Sequence, residues 1–256
     1  MNIAGKVVLL TGASSGIGLT LAEEISKEKC KLAILARRKN KLDELAAKLK
    51  SNGSEIFSIE CDVTKLDNIK NSIAATKEKF GEIDIAILNA GISKRALTED
   101  TEHSFAKQIF DVNVMGIINF AIELSESFKQ RKNGMIVGVS SLSDARGFPK
   151  SGLYCASKAA ASIYLESLLV ELSLHNIKVL IVRPGYVKTP LTDKNEFPMP
   201  FLMDVNKAAK IILRGIKKEK KIIQFPFPIV WGTRFIKLLP NFIFDYFTLK
   251  HMKKYN

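Results

Sequence analysis

The chain predicts a single-domain α/β fold: a doubly wound sheet of about seven parallel strands with helices on both faces. Three observations carry that expectation. Short apolar runs alternate with amphipathic stretches of helical period, and such alternation brings strands into parallel register through helical crossovers. The 256 residues, 46% of them hydrophobic, can bury a large core and fit one domain of this size better than two small ones. No repeat, low-complexity tract or Pro/Gly/Ser-rich linker divides the sequence.

The elements follow in order. "KVVLL" (6–10) has four consecutive large apolar residues before polar and glycine punctuation, which suits a buried strand and is too short for a secretion-signal core. Further strands are expected at 32–36, 55–61, 83–90, 134–141, 177–185 and 221–226. Between them the helical candidates are 18–29, 39–51, 66–80, one long helix at 101–129, 152–175 and 205–218. Residues 1–226 thus make up the body, with the segment around 189–205 as a lid, and 227–256 form an aromatic, basic extension of the same domain. Pro240 divides that extension into short helices at 229–239 and 241–251. No window reaches the roughly 18 uninterrupted apolar residues that a membrane span requires.

Charge and composition exclude some functions. Of the net charge of +13, residues 201–256 contribute +9, from 12 Lys/Arg against three acids. This excess is mostly lysine without interleaved arginine and aromatic side chains, so a solvated lysine face is expected and no nucleic-acid partner. Three cysteines (Cys30, Cys61, Cys155) and three scattered histidines offer no metal-ligand spacing, which predicts no metal and a reducing, cytoplasmic setting. Cys155 reads as a small buried filler, since no histidine lies near it in sequence.

Two motifs carry chemistry. The first, "TGASSGIG", places Gly12, Gly16 and Gly18 between a strand and a helix start. Glycines there let the backbone turn sharply and approach a pyrophosphate, whose charge faces the helix N-terminus, and Ser14 and Ser15 add hydroxyl donors. At the end of the next strand stand Ala36, Arg37 and Arg38, with no carboxylate to hold a ribose 2′-hydroxyl. A guanidinium there pairs with a 2′-phosphate, so NADP is favoured over NAD. The second motif sits in "SGLYCASKAA", where Tyr154 and Lys158, four apart on a helix, project side by side among small residues.

With "TGASSGIG", "CDV" (61–63), "LNAG" (88–91), Asn113 in "DVNVMG", "VSS" (139–141), "YCASK" (154–158) and "RPGYVKT" (183–189) in this order, the sequence resembles a short-chain dehydrogenase/reductase. It looks like the single-domain type of roughly 250 residues, with a Rossmann-like fold, and the likeness extends to about Pro226. The resemblance implies a catalytic set of Asn113, Ser141, Tyr154 and Lys158. The serine 13 residues before the tyrosine selects Ser141 over Ser140. It further implies that Ile17 joins the pyrophosphate loop, that Asp62 and Val63 contact the adenine and that Asn89, Ala90 and Gly91 line the middle of the cofactor. Pro184, Gly185, Val187 and Thr189 hold the nicotinamide end, and Lys158 also binds the nicotinamide ribose.

The chemistry fits those residue types. A free tyrosine has a pKa near ~10, and an ammonium one turn away is expected to lower it towards neutral acid/base work. Ser141 can stabilise charge on the substrate oxygen, and Asn113 is implied to hold a proton-relaying water. The expected activity is hydride transfer between a nicotinamide and a carbonyl or secondary alcohol. The alternative is a non-catalytic NADP-binding regulator on the same fold. The lid carries Phe197, Met199, Phe201, Leu202 and Met203, which favours a hydrophobic substrate. Tyr164 and Phe105 read as core or subunit contacts, and a homodimer or homotetramer is expected. The tail's aromatics, with Arg234, Lys237, Lys250, Lys253 and Lys254 among them, fit either packing over the pocket or a second subunit, or peripheral contact with an anionic membrane. The balance leans to packing.

Overall fold

A computed structural model describes residues 1–254; the side chains of His251, Lys253 and Lys254 are outside the description, and so are the expectations for the Lys253 and Lys254 side chains. The strands are β1 (Val7–Thr11), β2 (Lys31–Ala36), β3 (Glu55–Glu60), β4 (Ile85–Leu88), β5 (Gly134–Val139), β6 (Ile177–Pro184) and β7 (Ile222–Phe225). They form one sheet in the order β3-β2-β1-β4-β5-β6-β7, and every pairing is parallel. Parallel strands covered on both faces read as continuous apolar runs, and β1, β4 and β5 are buried at every position.

Helices α1 (Gly16–Ile25), α2 (Lys39–Leu49) and α7 (Val205–Lys217) cover one face, burying Leu21, Leu42 and Ile212. On the other lie α3 (Leu66–Phe80), α5 (Gly116–Arg131) and α6 (Gly152–Ser173), which bury Ile69, Phe120 and Leu165. The tail forms α8 (Phe227–Leu238) and α9 (Asn241–Lys254), broken at Pro240 as the sequence predicts.

Two elements differ from expectation. The long helix at 101–129 is divided into α4 (His103–Phe110), a π turn (Asp111–Met115) and α5. The buried residues Ile109, Asn113, Ile117 and Ala121 recur every four positions, whereas a 3.6-residue helix would carry the fourth of them far off that face. The extra residue in the π turn resets the phase and keeps Asn113 inward. Strand β4 is also shorter than 83–90. Asp84 and the Asn89–Ala90 pair leave the ladder to hydrogen-bond β1 and its following turn.

The strand order reverses between β1 and β4, the crevice where ligands bind in open parallel sheets.

Candidate active site

At the carboxyl end of β1, Thr11 and Asn89 lock the crevice together. Thr11 Oγ1 accepts from the backbone N–H groups of Asn89 (3.0 Å) and Ala90 (3.1 Å), and Asn89 Nδ2 donates to the Thr11 carbonyl at 3.1 Å. Gly12, at φ +70°, brings the loop so close that a Cβ there would lie 2.8 Å from Ala90 Cα. A Cβ on Gly18 would lie 2.2 Å from the Gly12 carbonyl oxygen. Gly16 has its nearest non-local neighbour in the side chain of Thr189, across the crevice.

This loop feeds an uncapped helix. Ser15 precedes α1 with no side-chain cap bond, and the first turn holds no acid, so the N–H groups around Gly16, Ile17 and Gly18 lack a partner from the cap. Arg38 reaches back over the loop, donating to Ser14 Oγ (3.1 and 2.8 Å) and Ser15 Oγ (2.8 Å). Each serine hydroxyl thereby keeps its own proton for another acceptor. Arg37 is exposed beside it. The donor set suits the pyrophosphate of a dinucleotide. Further along, Asp62 accepts from Thr64 N and Oγ1, and buried Val63 packs on Gly116 of α5.

The four residues expected to be catalytic converge beyond β4 and β5. Ser141 follows β5 and accepts from Ser143 N–H at 3.1 Å. Tyr154 and Lys158 come from the first turns of α6, with Lys158 Nζ 5.9 Å from the Tyr154 ring centroid. Lys158 is buried and donates to the Val139 carbonyl at 2.9 Å, while a Cβ on Gly91 would meet both Lys158 Nζ and Asn113 Oδ1 at 3.3 Å. Asn113 is spent as a clamp: Oδ1 accepts from Ile92 N–H (2.8 Å), and Nδ2 donates to the Ile92 carbonyl and to Ser157 Oγ (both 3.0 Å). Both amide hydrogens are therefore used on the protein itself.

Electrostatics correct one expectation. Burial pushes the Tyr154 hydroxyl up to about 12, opposed by a hydrogen bond with Ser141 and raised further by nearby Cys155 and Asp144. Lys158 does not bring it down: its ammonium is turned to the Val139 carbonyl, and burial lowers its own pKa to about 8. Tyr154 thus holds its proton firmly across the neutral range. Cys155 is buried and its thiol raised by burial, in keeping with a filler.

At the far end of the crevice, Gly185 N–H donates to the Phe225 carbonyl at 2.7 Å. The lid is closed at its base by an isolated bridge between Val187 and Met203. Thr189 N–H donates to Thr192 Oγ1 at 2.9 Å. Of the apolar lid residues, Met203 packs into the core and Phe197 meets Tyr186 edge-on (5.9 Å) and lies under Arg95 (4.1 Å), whereas Phe201 and Leu202 are exposed.

Three groups around the site have no counterpart in the sequence reading. Ser140, set aside in favour of Ser141, donates to the Lys158 carbonyl at 2.9 Å and accepts from Ser162. Ser162 Oγ also lies within hydrogen-bond distance of Asp144, which pairs with Arg183 at 2.7 Å. Arg146 pins the tail, donating to the Ile236 and Leu239 carbonyls and to Asn241 Oδ1 while stacking on Phe244. Asp144, Arg146 and Ser162 carry no motif, and only the fold brings them to the site. Of the tail's aromatics, Phe244 also packs on Phe148, and most of the others point away from the crevice.

Comparisons with known proteins bear on the family and the fold. The family model described as short chain dehydrogenase matches residues 6–198. The 11-beta-hydroxysteroid dehydrogenase-like 2 of Arabidopsis thaliana is 35% identical over 267 aligned positions, covering 99% of this chain and 85% of the relative. A short chain dehydrogenase/reductase from Burkholderia phymatum in complex with NAD superposes with a TM-score of 0.85 at 21% identity, over 91% of this chain and 93% of that one. A short-chain dehydrogenase from Sphingobium yanoikuyae in complex with NADPH gives 0.79 at 27% identity, over 87% and 88%.

Proposed function

This chain belongs to the short-chain dehydrogenase/reductase family of oxidoreductases acting on CH–OH and C=O groups, and we propose that it uses NADP(H) to reduce the carbonyl of a hydrophobic small molecule. The observation that carries the reading is the cluster of Ser141, Tyr154 and Lys158 at the carboxyl edge of the sheet, beside the glycine loop. A nicotinamide dinucleotide supplies or accepts the hydride. Its pyrophosphate would rest on Gly12, Ser14, Ser15, Gly16, Ile17 and Gly18, and its adenosine beside Arg37, Arg38, Asp62 and Val63. The remainder would run past Asn89, Ala90 and Gly91 to Pro184, Gly185, Val187 and Thr189.

The protein's own part is binding, orientation and proton delivery. Tyr154 donates its proton to the substrate oxygen as negative charge develops there. Ser141 hydrogen-bonds the same oxygen. A tyrosine that keeps its proton at neutral pH suits the reductive direction. Lys158, with its ammonium 5.9 Å from the Tyr154 ring centroid, would hold the ribose hydroxyls. Asn113 positions rather than reacts: by clamping Ile92 it fixes the segment after β4 along which the cofactor would lie.

Arg38, already bridging Ser14 and Ser15, supports NADP over NAD. Tyr186 and Phe197 offer an apolar, aromatic wall to the substrate. The relative named as hydroxysteroid dehydrogenase-like supports a hydrophobic substrate class. Exposed Met115, Ile122, Ile163, Val170 and Leu174 on and beside α5 and α6 support a homo-oligomer, and three free buried cysteines support a reducing, cytoplasmic setting. The test is NADPH consumption with a panel of apolar ketones and of sugars. Turnover of the ketones with NADPH preferred over NADH is expected; preference for NADH, or for sugars, overturns the corresponding half of the proposal.

A further inference from the structure

Six of the seven exposed large aromatic and Phe-type side chains among the described residues lie in the last 30 positions: Phe227, Trp231, Phe235, Phe242, Tyr246 and Phe247. With Leu238 and Leu249 they are each between 56 and 83% exposed. Their spacing is not that of a helix tucked on a core. Phe227, Trp231, Phe235 and Leu238 recur at i, i+4, i+8 and i+11, one stripe along α8, and that stripe faces out. Phe242, Tyr246 and Leu249 form a similar stripe along α9. Only Val230 of α8 is fully buried.

The tail is nevertheless firmly placed. Arg146 binds the last carbonyls of α8 and the first residue of α9, and Phe244 packs on Phe148. At the start of α8, Pro226 and Ile229 sit against Gly185. The outward stripes are thus a fixed surface, held from beneath by main-chain bonds and not by burial of their own side chains.

Charge decides what such a surface fits. From Pro226 onward the sequence holds five Lys/Arg against one Asp. Arg234 stands over the Trp231 ring within the α8 stripe, and Lys237 and Lys250 are exposed beside the aromatics. A second copy of this chain would bring like charge to like. A bilayer with anionic headgroups instead takes the aromatic rings at the headgroup boundary and the cations above them. We infer that α8 and α9 form an interfacial anchor that seats this protein on the surface of an anionic phospholipid bilayer. The anchor lies beside Gly185 and the turn following Ser141, so an apolar substrate dissolved in that bilayer reaches the crevice along the anchored face. That last step rests on the proposed substrate class; the docking does not.

The test uses the full chain and vesicles of phosphatidylcholine made with or without phosphatidylglycerol. Trp231 is the only tryptophan, so its emission reports on α8 alone. With the anionic vesicles at low salt, the protein floats, the emission moves to shorter wavelength, and brominated acyl chains quench it. Omitting phosphatidylglycerol or raising the salt weakens flotation severalfold. The double variant Phe235→Ser/Phe242→Ser keeps Trp231 and loses about tenfold or more in vesicle affinity. Its NADP(H) binding is unchanged, which shows that it folds. Wild-type protein that stays unbound with anionic vesicles at low salt overturns the inference. So does an emission shift on concentrating the protein without lipid, accompanied by a larger mass in light scattering, which assigns the stripes to a second copy. Neither readout uses turnover, so failure of the oxidoreductase reading and failure of the anchor are separable.

Discussion

At the scale of single residues, the site separates proton delivery from binding. Tyr154→Phe removes only a hydroxyl, so turnover should fall by about 10²–10⁴-fold while NADP(H) binding, measured by fluorescence titration, changes little. Wild-type-like rates in that variant would sink the assignment of Tyr154. Arg38 contacts both loop serines, so Arg38→Ala should weaken NADP about tenfold or more relative to NAD, the worth of a charge-assisted hydrogen bond. Equal losses for both cofactors would mean that the guanidinium only shapes the loop. Lys158 makes a prediction in stability. Burial lowers its pKa from 10.5 to about 8. Between those values the unfolded chain binds the proton and the folded one does not, so this group adds stability as pH rises from 8 towards 10.5. Wild-type protein should therefore gain on the order of 1–2 kcal/mol relative to Lys158→Met between pH 7.5 and 9.5 in urea unfolding. A difference that stays flat across that window would show the ammonium is not buried. Above pH 10, Tyr154 acts in the opposite sense, because its raised pKa keeps a proton that the unfolded chain has lost.

At the scale of elements, most of the architecture could be read from the sequence, for a physical reason. Apolar runs such as "VVLLT" and "LAILA" report burial on both faces, and glycine, proline and capping residues mark where they stop. The site motifs were legible likewise, because each combines residue types that few other local structures require together. What escaped notice was geometry set by distant partners. The π turn has no marker residue of its own: it arises because Ile109, Asn113 and Ile117 must all face a sheet built elsewhere in the chain. Arg146 and Asp144 look like ordinary surface charges until the fold supplies the α8 carbonyls and Arg183. Caps, by contrast, act locally. Asp204 accepts from the N–H groups of Asn206 (2.9 Å) and Lys207 (3.2 Å) at the start of α7. Asp204→Ala should lower the midpoint of chemical unfolding, with activity retained. The lowered pKa of Asp204 means that wild type loses this advantage as pH falls through the carboxylate range. A variant as stable as wild type at pH 7 would show that the bonds to water replace the cap in full.

At the scale of the whole molecule, the exposed apolar residues of neighbouring α5 and α6 belong to a different surface from the tail. In the proposed homo-oligomer, Val170→Asp/Leu174→Asp should lower the mass measured by light scattering while leaving the fold intact by circular dichroism. An unchanged mass would remove these helices from the subunit contact. The strand order has a consequence in time as well as in space. On one edge of β1, Val8 pairs with Leu32, and on the other with Ile85. A chain emerging from the ribosome can therefore join β1, β2 and β3 early. The second edge of β1 must wait through the synthesis of α3 until β4 appears. During that interval a strand apolar at Val7, Val8, Leu9 and Leu10 stands half-paired, with open hydrogen-bonding groups along its second edge. The same reversal that opens a crevice for a dinucleotide makes this seam the place where the nascent chain is most prone to aggregate, and slower elongation between residues 61 and 85 prolongs the exposure.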